Sequence, residues 1–511
     1  MRMRPQLLAL ALAACGSSSG DHADADMLVP PQGCDALDTD QDGYSDAVEI
    51  AMGTSPTDPN DNPDTHHQIV FAVPFDGSPR PTSHDADAAA RVARADLTIL
   101  LDTSGSMLGP DTRIQAQFQA LVTLLAGQID DLAFGAAGFG DFPIDDGANS
   151  QYDVPFYLVH REMTARTAAG LASIVDAMTY KNIITDGVGP WFAGMRGGDD
   201  PEQGWEGLRQ VATGIGITYP SPLTGTGSVP PFSPTSAYPS TLPAGEENGT
   251  IGGVGFRANS LPIIMMITDT TQHDEVLTTT TPASASRAVA TQALAGIGAR
   301  VIGVKTFLST GEPDLDAIAT ATGAQVPPTV WGTGAERPSN CPVGRCCVNA
   351  DDPDSGNVPA TQPLPVNGTC TLVFQSDKYD TNLAQMLAQG VTGMARGVRF
   401  DASAMMVDDP SDAVDTAVFV DHVEAIADGS CAGGSVRDTN GDGIADTFDA
   451  VLPGTDVCFR ITAKVNHAVQ PGSMPTKYRA LLQLTGDGLA DLAPVEVWFV
   501  VPAAECDGPI L

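Results

Sequence analysis

The sequence is poor in basic residues. Its 511 residues include 25 Lys and Arg against 63 Asp and Glu, which gives a formal net charge of −38 at pH 7. A surface this acidic repels nucleic acid and anionic lipid, so neither is expected as a direct partner. The surplus carboxylates suit divalent cations, although acidity alone also keeps an exported protein soluble.

Several catalytic motifs are missing as well. There is no Gly-x-Ser-x-Gly around Ser104, no His-Glu-x-x-His and no Gly-x-x-x-x-Gly-Lys-Ser/Thr. The eight histidines are scattered through termini and loops. His273, which follows Asp269 by four residues, is the one candidate for catalysis beside a metal, and a loop histidine on the rim is the simpler interpretation. We therefore predict that the protein is not an enzyme.

The N-terminal apolar run is too short to cross a bilayer. In MRMRPQLLALALAACGSSSG it extends from Leu7 to Ala14, far below the roughly 20 residues that a transmembrane helix needs, which predicts an export signal. The LAAC at 12–15 resembles the lipobox of bacterial lipoproteins. That resemblance implies lipidation at Cys15 and an anchor in the cell envelope, in the outer membrane or at the cell surface. An ordinary cleaved signal with a chance cysteine is the alternative.

Eight further cysteines follow Cys15, and none are spaced as Cys-x-x-Cys, so a zinc site of cysteines is not expected. An even number of cysteines in an exported chain favours disulfides, although many pairings are open. The eight are Cys34, Cys341, Cys346, Cys347, Cys370, Cys431, Cys458 and Cys506.

Between residues 96 and 397 apolar strands alternate with amphipathic helices. This alternation predicts a doubly wound, mostly parallel sheet with helices on both faces. The predicted strands are 97–101, 132–139, 263–267, 301–307 and 372–374, and the predicted helices lie near 111–129, 205–215, 283–297, 313–322 and 380–395. Residues 218–259 are expected to form a long surface insertion, and residues 325–369 a second one braced by disulfides.

From about residue 398 the helical period disappears. Residues 457–466 alternate, with Phe459 and Ile461 on one face and Arg460 and Thr462 on the other. Together with apolar runs at 417–421, 478–484 and 495–501, this predicts a C-terminal antiparallel β-sandwich. A solitary strand at 68–74 precedes a stretch, 76–90, that looks disordered.

Oxygen-bearing side chains follow the strand at 97–101. In LTILLDTSGSM, Asp102, Ser104 and Ser106 come directly after the apolar residues. Parallel sheets place ligand sites at the carboxyl ends of their strands, and one carboxylate with two hydroxyls suits Mg²⁺, Mn²⁺ or Ca²⁺. Such a cation still attracts another carboxylate. Taken singly, these residues are also explained as a helix cap and turn residues.

The D-x-S-x-S pattern resembles the metal-ion-dependent adhesion site of von Willebrand factor A domains, whose fold is a doubly wound sheet. The resemblance spans residues 96–397. It implies that Asp269, in MITDTTQH, completes the site. Glu202, in DDPEQGWEGL, matches a glutamate that reaches the metal in the inserted domain of integrin β subunits. The resemblance implies Mg²⁺ or Mn²⁺ as the cation and a carboxylate of a protein or glycan as its ligand.

The integrin β resemblance extends to a neighbouring cation site and to the order of domains. Asp141 and Asp199 match acidic residues that hold a second cation in that relative. The two acidic residues of a third site are Gly109 and Pro110 here, so that site is not implied. A hybrid domain surrounds the inserted domain in integrin β subunits, which implies that the strand at 68–74 completes the C-terminal sandwich.

Two acidic stretches resemble the twelve-residue calcium loop of EF-hands, with oxygen donors at positions 1, 3, 5, 7, 9 and 12 and glycine at position 6. Loop 1, residues 38–49, supplies Asp38, Asp40, Asp42, Tyr44 by its backbone, Asp46 and Glu49. Loop 2, residues 438–449, supplies Asp438, Asn440, Asp442, Ile444 by its backbone, Asp446 and Asp449. The continuation MGTSPTDPNDNPD, at 52–64, also resembles thrombospondin type 3 repeats. Structural Ca²⁺ is expected in both loops, and a disordered acidic spacer is the alternative for loop 1.

These patterns predict an α/β domain followed by a β-sandwich and preceded by a short calcium-binding linker. The predicted segments are a signal at 1–15, a tether at 16–33, the calcium segment at 34–64, a strand and linker at 65–95, the α/β domain at 96–397 and the sandwich at 398–511. The predicted function is cation-dependent binding of a carboxylate-bearing protein or glycan by a non-enzymatic surface lipoprotein. The alternatives are a structural envelope protein rigidified by calcium and an exported metal-dependent hydrolase.

Overall fold

The computed structural model describes most of the chain between residues 37 and 504. The described residues are 37–89, 92, 94–107, 117–118, 120–125, 129, 131–143, 153–158, 168–177, 201–232, 249–273, 284–306, 312–333, 337, 341–349, 361–376, 383–427, 434–452, 455–488, 490–492 and 494–504. The predicted signal, the tether, Cys15 and Asp199 lie outside them. Within these ranges, no helix combines the length and the apolar character that crossing a membrane requires.

Strands and helices are labelled in chain order. The strands are β1 Ile69–Ala72, β2 Ser83–Ala89, β3 Arg94–Asp102, β4 Asp131–Phe139, β5 Tyr157–Leu158, β6 Ile217–Ser221, β7 Gly225–Val229, β8 Leu261–Thr268, β9 Arg300–Lys305, β10 Gln325–Val326, β11 Cys370–Thr371, β12 Val373–Gln375, β13 Phe400–Asp408, β14 Val420–Ile426, β15 Val436–Arg437, β16 Thr447–Val451, β17 Asp456–Ala463, β18 Thr476–Gly486, β19 Ala490–Asp491 and β20 Val495–Val501. The helices are α1 Asp46–Met52, α2 Ala168–Ala177, α3 Gly204–Thr213, α4 Arg287–Ala295, α5 Glu312–Ala321 and α6 Leu383–Gly397.

The central sheet has the strand order β12-β9-β8-β3-β4-β5. Its strands run parallel except for the edge strand β5, which is antiparallel to β4. In β9, Ile302 lies against α6 near Gly390, and the next residue, Gly303, lies against Leu315 of α5. Because successive strand residues face opposite sides, α5 and α6 cover opposite faces. Both faces being covered explains the unbroken apolar runs of β3, β8 and β9.

Two details of this region differ from the sequence prediction. The helix predicted near 205–215 ends at Thr213, because its cap Gly214 has a left-handed φ of 60°, and Ile215 beyond it is 59% exposed. The predicted insertion at 218–259 is partly ordered, because β6 and β7 pair as a hairpin at its start. The expected bracing of the second insertion is confirmed by the disulfides Cys341–Cys347 and Cys346–Cys370.

A second pair of sheets contains the remaining long strands. One sheet has the order β1-β20-β18-β13-β16-β15 with β19 beside β18, and the other has the order β14-β17-β2. Aromatic rings connect the two sheets: Phe448 of β16 meets Phe459 of β17 edge-on, with ring centroids 5.4 Å apart. β1 pairs in parallel with β20, so the strand near residue 70 belongs to the same sheet as the C-terminal strands.

The expectation of disorder after β1 is wrong. Residues 83–89 form β2, which pairs along its whole length with β17. Ala86 and Ala88 are buried, while Asp85 points outward and accepts two hydrogen bonds from Arg460. The strand was missed because its buried side chains are alanines, which carry little strand preference.

The helix after loop 1 packs on the outer side of the β1–β20 pair. Val48 and Met52 of α1 lie one turn apart and join Val70, Ala72 and Val500 in a small apolar cluster. The cluster fixes α1, and with it loop 1, against the sheet.

Candidate metal centre

Asp102 ends β3 and is fully buried. Its two oxygens accept hydrogen bonds from the Ser104 amide at 2.9 Å and the Thr268 hydroxyl at 2.6 Å. The hydroxyl oxygens of Ser104 and Ser106 lie 3.1 Å apart, and Ser106 is exposed. The three residues therefore present one carboxylate and two hydroxyls in a single turn that is open to solvent.

Burial, with a smaller contribution from the charge of Asp269, raises the pKa of Asp102 to about 7. Hydrogen bonds from Thr268 and Ser104 act in the opposite direction but do not outweigh burial. The carboxylate is thus costly to keep charged in the protein alone, and a cation at this position would remove that cost.

A second buried carboxylate near the other end of β3 shows what Asp102 lacks. Asp96 accepts hydrogen bonds from the Nε of Arg257 at 2.8 Å, from its amide at 2.6 Å and from Ser260. Among the described residues, no lysine or arginine forms an ion pair with Asp102. β3 therefore carries two buried carboxylates. A guanidinium neutralises that of Asp96, whereas that of Asp102 accepts hydrogen bonds from neutral donors.

Backbone hydrogen bonds hold Glu202 beside the ends of β4 and β8. Its amide donates to Thr271 O at 3.0 Å, and its carbonyl accepts from His273 N at 2.9 Å, so residue 202 pairs with Gln272. The amide of the next residue, Gln203, donates to Gly140 O at 3.1 Å. Glu202 is 1% exposed, so the loop before α3 brings a buried carboxylate to this edge of the sheet.

Gly204 lies close to the side chains of Gln272 and Met266 of this edge. A Cβ there would lie 2.2 Å from Gln272 Oε1, which accepts a hydrogen bond from the Gly204 amide at 2.6 Å. A larger residue at position 204 would have to displace the ends of the Gln272 and Met266 side chains.

We refer to Asp102, Ser104, Ser106, Glu202 and Asp269 as the β3 site. They come from the ends of β3 and β8 and from the loop before α3. Among the described residues, ligand atoms of three or more acidic, histidine or cysteine side chains come within 4.8 Å of one another at one place, and that place is loop 1. Asp102, Glu202 and Asp269 therefore do not all lie within that distance.

Asp141 follows β4, and its neighbour is a histidine. Asp141 Oδ1 accepts from the Phe142 amide at 2.7 Å, and Asp141 Oδ2 lies 3.5 Å from His273 Nε2. The expected partner Asp199 lies outside the described residues. The sequence did not indicate that His273 would lie beside Asp141, because the two residues follow β8 and β4, which are distant in the chain and flank β3 in the sheet.

Loop 1 gathers three of its predicted ligands. Oxygens of Asp38, Asp40 and Asp42 lie within 4.8 Å of one another. Asp38 accepts the amides of Gln41 and Gly43, and Asp42 accepts that of Tyr44 at 2.9 Å, which holds the backbone in a tight turn. Repulsion among these carboxylates adds to burial in raising the pKa of Asp40.

Glu49, the predicted last ligand of loop 1, is fully buried in α1. Neither of its carboxyl oxygens has a hydrogen-bond partner among the described residues. Burial, followed by the charges of Asp42 and Asp40, raises its pKa to about 8. A buried glutamate that has no hydrogen-bond donor and feels the charges of nearby aspartates fits a site built for a cation.

The ninth position of loop 1 has a different role from the one predicted. Both oxygens of Asp46 accept hydrogen bonds from Thr39, from its amide at 2.8 Å and its hydroxyl at 2.7 Å. Asp446 of loop 2 accepts from Thr439 in the same way. These aspartates close the turn of the loop, and a direct ligand role for them is a prediction that the structure does not support.

Loop 2 adopts a turn like that of loop 1. Asp438 accepts the amides of Gly441 and Gly443, and Asn440 Oδ1 accepts that of Asp442. The Ile444 amide donates to Asp442 at 2.8 Å.

Asp449, the predicted last ligand of loop 2, lies elsewhere. Its Oδ1 accepts from the Nε of Arg437 at 2.8 Å, and its other oxygen accepts from Ser435. The hydrogen bond and charge of Arg437 lower the pKa of Asp449. A guanidinium therefore already meets the charge of Asp449, and its role as a calcium ligand stays a prediction.

Comparisons with known proteins give low similarity. No family model and no curated protein matches the chain. Among solved structures it is similar to a von Willebrand factor type A protein from Catenulispora acidiphila, with 12% identity and a TM-score of 0.32, over 86% of this chain and 72% of that one. It is also similar to proximal thread matrix protein 1 from the mussel byssus, with 12% identity and a TM-score of 0.29, over 63% of this chain and 51% of that one.

A third similar structure is the pilus adhesin SpaC from Lactobacillus rhamnosus GG, with 12% identity and a TM-score of 0.28, over 83% of this chain and 46% of that one. Another structure of the mussel protein is described as having a zinc occupied MIDAS motif. The chain spans about half the length of the mussel and Lactobacillus structures. TM-scores this low leave the function of this chain to be argued from its own residues.

Proposed function

We propose that this protein binds a carboxylate-bearing protein or glycan outside the cell through a divalent cation at the β3 site. Asp102, Ser104 and Ser106 would hold Mg²⁺ or Mn²⁺, with Asp269 and Glu202 contributing directly or through water. The protein is proposed to be a surface lipoprotein anchored through Cys15 and to have no enzymatic activity.

The observation that carries the proposal is the pairing of two hydroxyls beside a buried carboxylate. Ser104 and Ser106 oxygens lie 3.1 Å apart next to Asp102, which has no cationic partner among the described residues. Hard oxygen ligands of low total charge leave a bound cation able to attract a further carboxylate. Ser106 is exposed, so a ligand can reach this position from solvent.

The residues around the site keep it preorganised. Thr268 fixes one oxygen of Asp102, and the Ser104 amide fixes the other, so the carboxylate cannot rotate away from the turn. Thr103 binds Phe139 O through both its amide and its hydroxyl at 2.9 Å, which joins the turn to β4. Rigid support of this kind lowers the entropy that a ligand loses on binding.

Loop 1 is proposed as a structural calcium site that supports this role. Asp38, Asp40, Asp42 and Glu49 supply the oxygens, and Glu49 lies on the helix that packs on the β1–β20 pair. Calcium there would stiffen the segment that connects the proposed tether to the folded domains.

The test is cation-dependent capture with the full chain. Immobilised acidic proteins and glycans are offered with Mg²⁺ or Mn²⁺ and with a chelator, and the same ligands are offered after their carboxyl groups are amidated. We expect binding only with the cation and only to unmodified carboxyl groups. The double variant Ser104→Ala with Ser106→Ala should reduce binding at least about 100-fold, roughly 2.7 kcal/mol.

A matched control removes another pair of hydroxyls. Ser403 and Thr485 oxygens lie 2.9 Å apart in the sheet of β13 and β18, far along the chain from the β3 site. Ser403→Ala with Thr485→Val should leave capture unchanged. Capture that survives both the chelator and the double variant at Ser104 and Ser106 would refute the proposal and favour a structural envelope protein.

A further inference from the structure

A buried histidine lies beside a buried carboxylate at the edge of the sheet that carries the β3 site. His273 Nε2 is 3.5 Å from Asp141 Oδ2, and the two side chains are 9% and 4% exposed. This distance exceeds that of a hydrogen bond between these groups, and Nε2 has no hydrogen-bond partner among the described residues. A buried polar atom in this condition is costly unless something else meets it.

A third polar atom in the same region is also buried without a donor. Gln203 is 2% exposed, and its Oε1 accepts no hydrogen bond within the described chain. The Gln203 amide donates to Gly140 O, directly before Asp141, and the pairing of Glu202 with Gln272 brings residue 203 beside residue 273. The backbone of three segments therefore places residues 141, 203 and 273 next to one another.

We propose that Asp141, His273 and Gln203 form a second metal site, which selects a divalent transition metal such as Zn²⁺ over Mg²⁺ and Ca²⁺. Asp141 binds through Oδ2, His273 through Nε2 and Gln203 through Oε1. Solvent fills the remaining coordination position. The site uses none of the five residues of the β3 site, so it does not depend on the function proposed above.

The ligand chemistry determines the choice of metal. Imidazole nitrogen is a good ligand for Zn²⁺ and a poor one for Mg²⁺ and Ca²⁺, which prefer oxygen. Two ligands about 2.0–2.1 Å from a tetrahedral zinc stand roughly 3.4 Å apart. The observed 3.5 Å between His273 Nε2 and Asp141 Oδ2 matches that spacing, although it is too long for a direct hydrogen bond.

The test is titration of Zn²⁺ into the full chain carrying Ser104→Ala and Ser106→Ala, with Ca²⁺ in excess to fill loop 1. We expect one zinc equivalent to bind, and we expect zinc-edge X-ray absorption to show scattering from an imidazole ring. Adding His273→Gln, which keeps a polar side chain of similar length, should lower the zinc affinity at least 100-fold. Adding Asp141→Asn, which keeps the shape, should lower it at least 10-fold.

A matched histidine provides the control. His422 lies 2.8 Å from Asp421 on the surface of β14, so it is also a histidine beside an aspartate. His422→Gln should leave the zinc affinity unchanged. The proposal would be overturned if the His273→Gln and His422→Gln proteins bound zinc equally well. It would also be overturned if the X-ray absorption spectrum of the chain with native His273 showed no imidazole scattering, and this second measurement does not require a histidine variant that folds. If the function proposed for the β3 site were wrong, the zinc result would not change, because every protein in this titration already lacks the hydroxyls of Ser104 and Ser106.

Discussion

Loop 1 and loop 2 share a twelve-residue pattern but are followed by different secondary structure. α1 begins within loop 1 at Asp46, whereas β16 begins within loop 2 at Thr447. A helix advances about 1.5 Å per residue and a strand about 3.3 Å, so the helix keeps position 12 near the loop and the strand carries it away. Glu49 is consequently buried beside three aspartates, while Asp449 reaches Arg437.

The two final acids also differ in their charge environment. Burial and neighbouring carboxylates raise the pKa of Glu49 to about 8, whereas a guanidinium lowers the pKa of Asp449. A bound cation would stabilise the charged form of Glu49, whereas the Arg437 guanidinium already stabilises that of Asp449. Ligand spacing alone therefore does not define a calcium site, because the element that follows the loop decides where the last ligand lies.

Replacing the last acidic residue of each loop by its amide should produce the largest difference in calcium affinity between the two loops. Glu49→Gln should reduce calcium affinity about 100-fold, or roughly 2.7 kcal/mol, because it removes one of the charged ligands proposed for loop 1. Asp449→Asn should leave calcium affinity unchanged. Isothermal titration of Ca²⁺ into each chain, after removal of metal, measures both effects.

The control for this prediction is that Glu49→Gln should change the melting temperature in opposite directions with and without Ca²⁺. In a chelator, Glu49→Gln should raise the melting temperature at pH 8, because it removes a buried charge with no partner. In Ca²⁺ the same variant should lower it. Loss of a calcium equivalent in Asp449→Asn would mean that loop 2 binds the ion through that residue and would contradict the comparison.

The pH dependence of stability should differ between the loops. The usual pKa of Glu49, near 4.5, describes the unfolded chain, and the folded value is about 8, so between these pH values the folded chain holds a proton that the unfolded chain has lost. Without calcium, Glu49 should therefore lower the free energy of unfolding as pH rises from about 4.5 to 8, by on the order of 2–4 kcal/mol. Urea unfolding of wild type and Glu49→Gln in chelator, at pH 5 and pH 8, measures this difference.

Asp449 should behave in the opposite way. Its folded pKa is lowered, so its contribution to stability is present near neutral pH and is lost only as pH falls through that lowered value. If wild type and Glu49→Gln lost stability equally between pH 5 and pH 8, the interpretation of Glu49 would be wrong.

The smallest effect is expected from the ion pair that replaces calcium in loop 2. The Arg437 side chain is 47% exposed and binds both Asp449 and Asp401. Arg437→Met should lower the melting temperature only slightly, because exposed ion pairs contribute little to stability, and this cost should be equal with and without Ca²⁺. Thermal unfolding in both conditions checks it, and a cost that vanishes in Ca²⁺ would show that an ion takes the place of the guanidinium.

The sequence predicted those parts of the fold whose cause is local. β3, β8 and β9 were expected at nearly the observed residues, because strands buried on both faces must be apolar throughout. Asp102, Ser104 and Ser106 lie in one turn, so their spacing sufficed to place them together. β2 was missed because alternating alanines and aspartates give little strand signal.

The unpredicted features depend on contacts between distant segments. His273 meets Asp141 because β8 and β4 flank β3 and the Glu202 segment is hydrogen-bonded between their ends, and no local pattern encodes these pairings. Gln203 was not considered, since an amide at the start of a helix is common. Likewise, Asp449 contacts Arg437 because β15 and β16 pair, and the calcium-loop pattern of residues 438–449 gives no indication of this pairing.

The pairing of β1 with β20 has a consequence for the order of folding. Ile69 lies opposite Val497, and all strands of the parallel sheet lie between them in the sequence. This contact can close only after the intervening chain has been made and compacted, and such non-local contacts slow folding. Until then β1 is an open strand edge with Val70 and Phe71 uncovered, which makes the newly made chain vulnerable to aggregation at that edge.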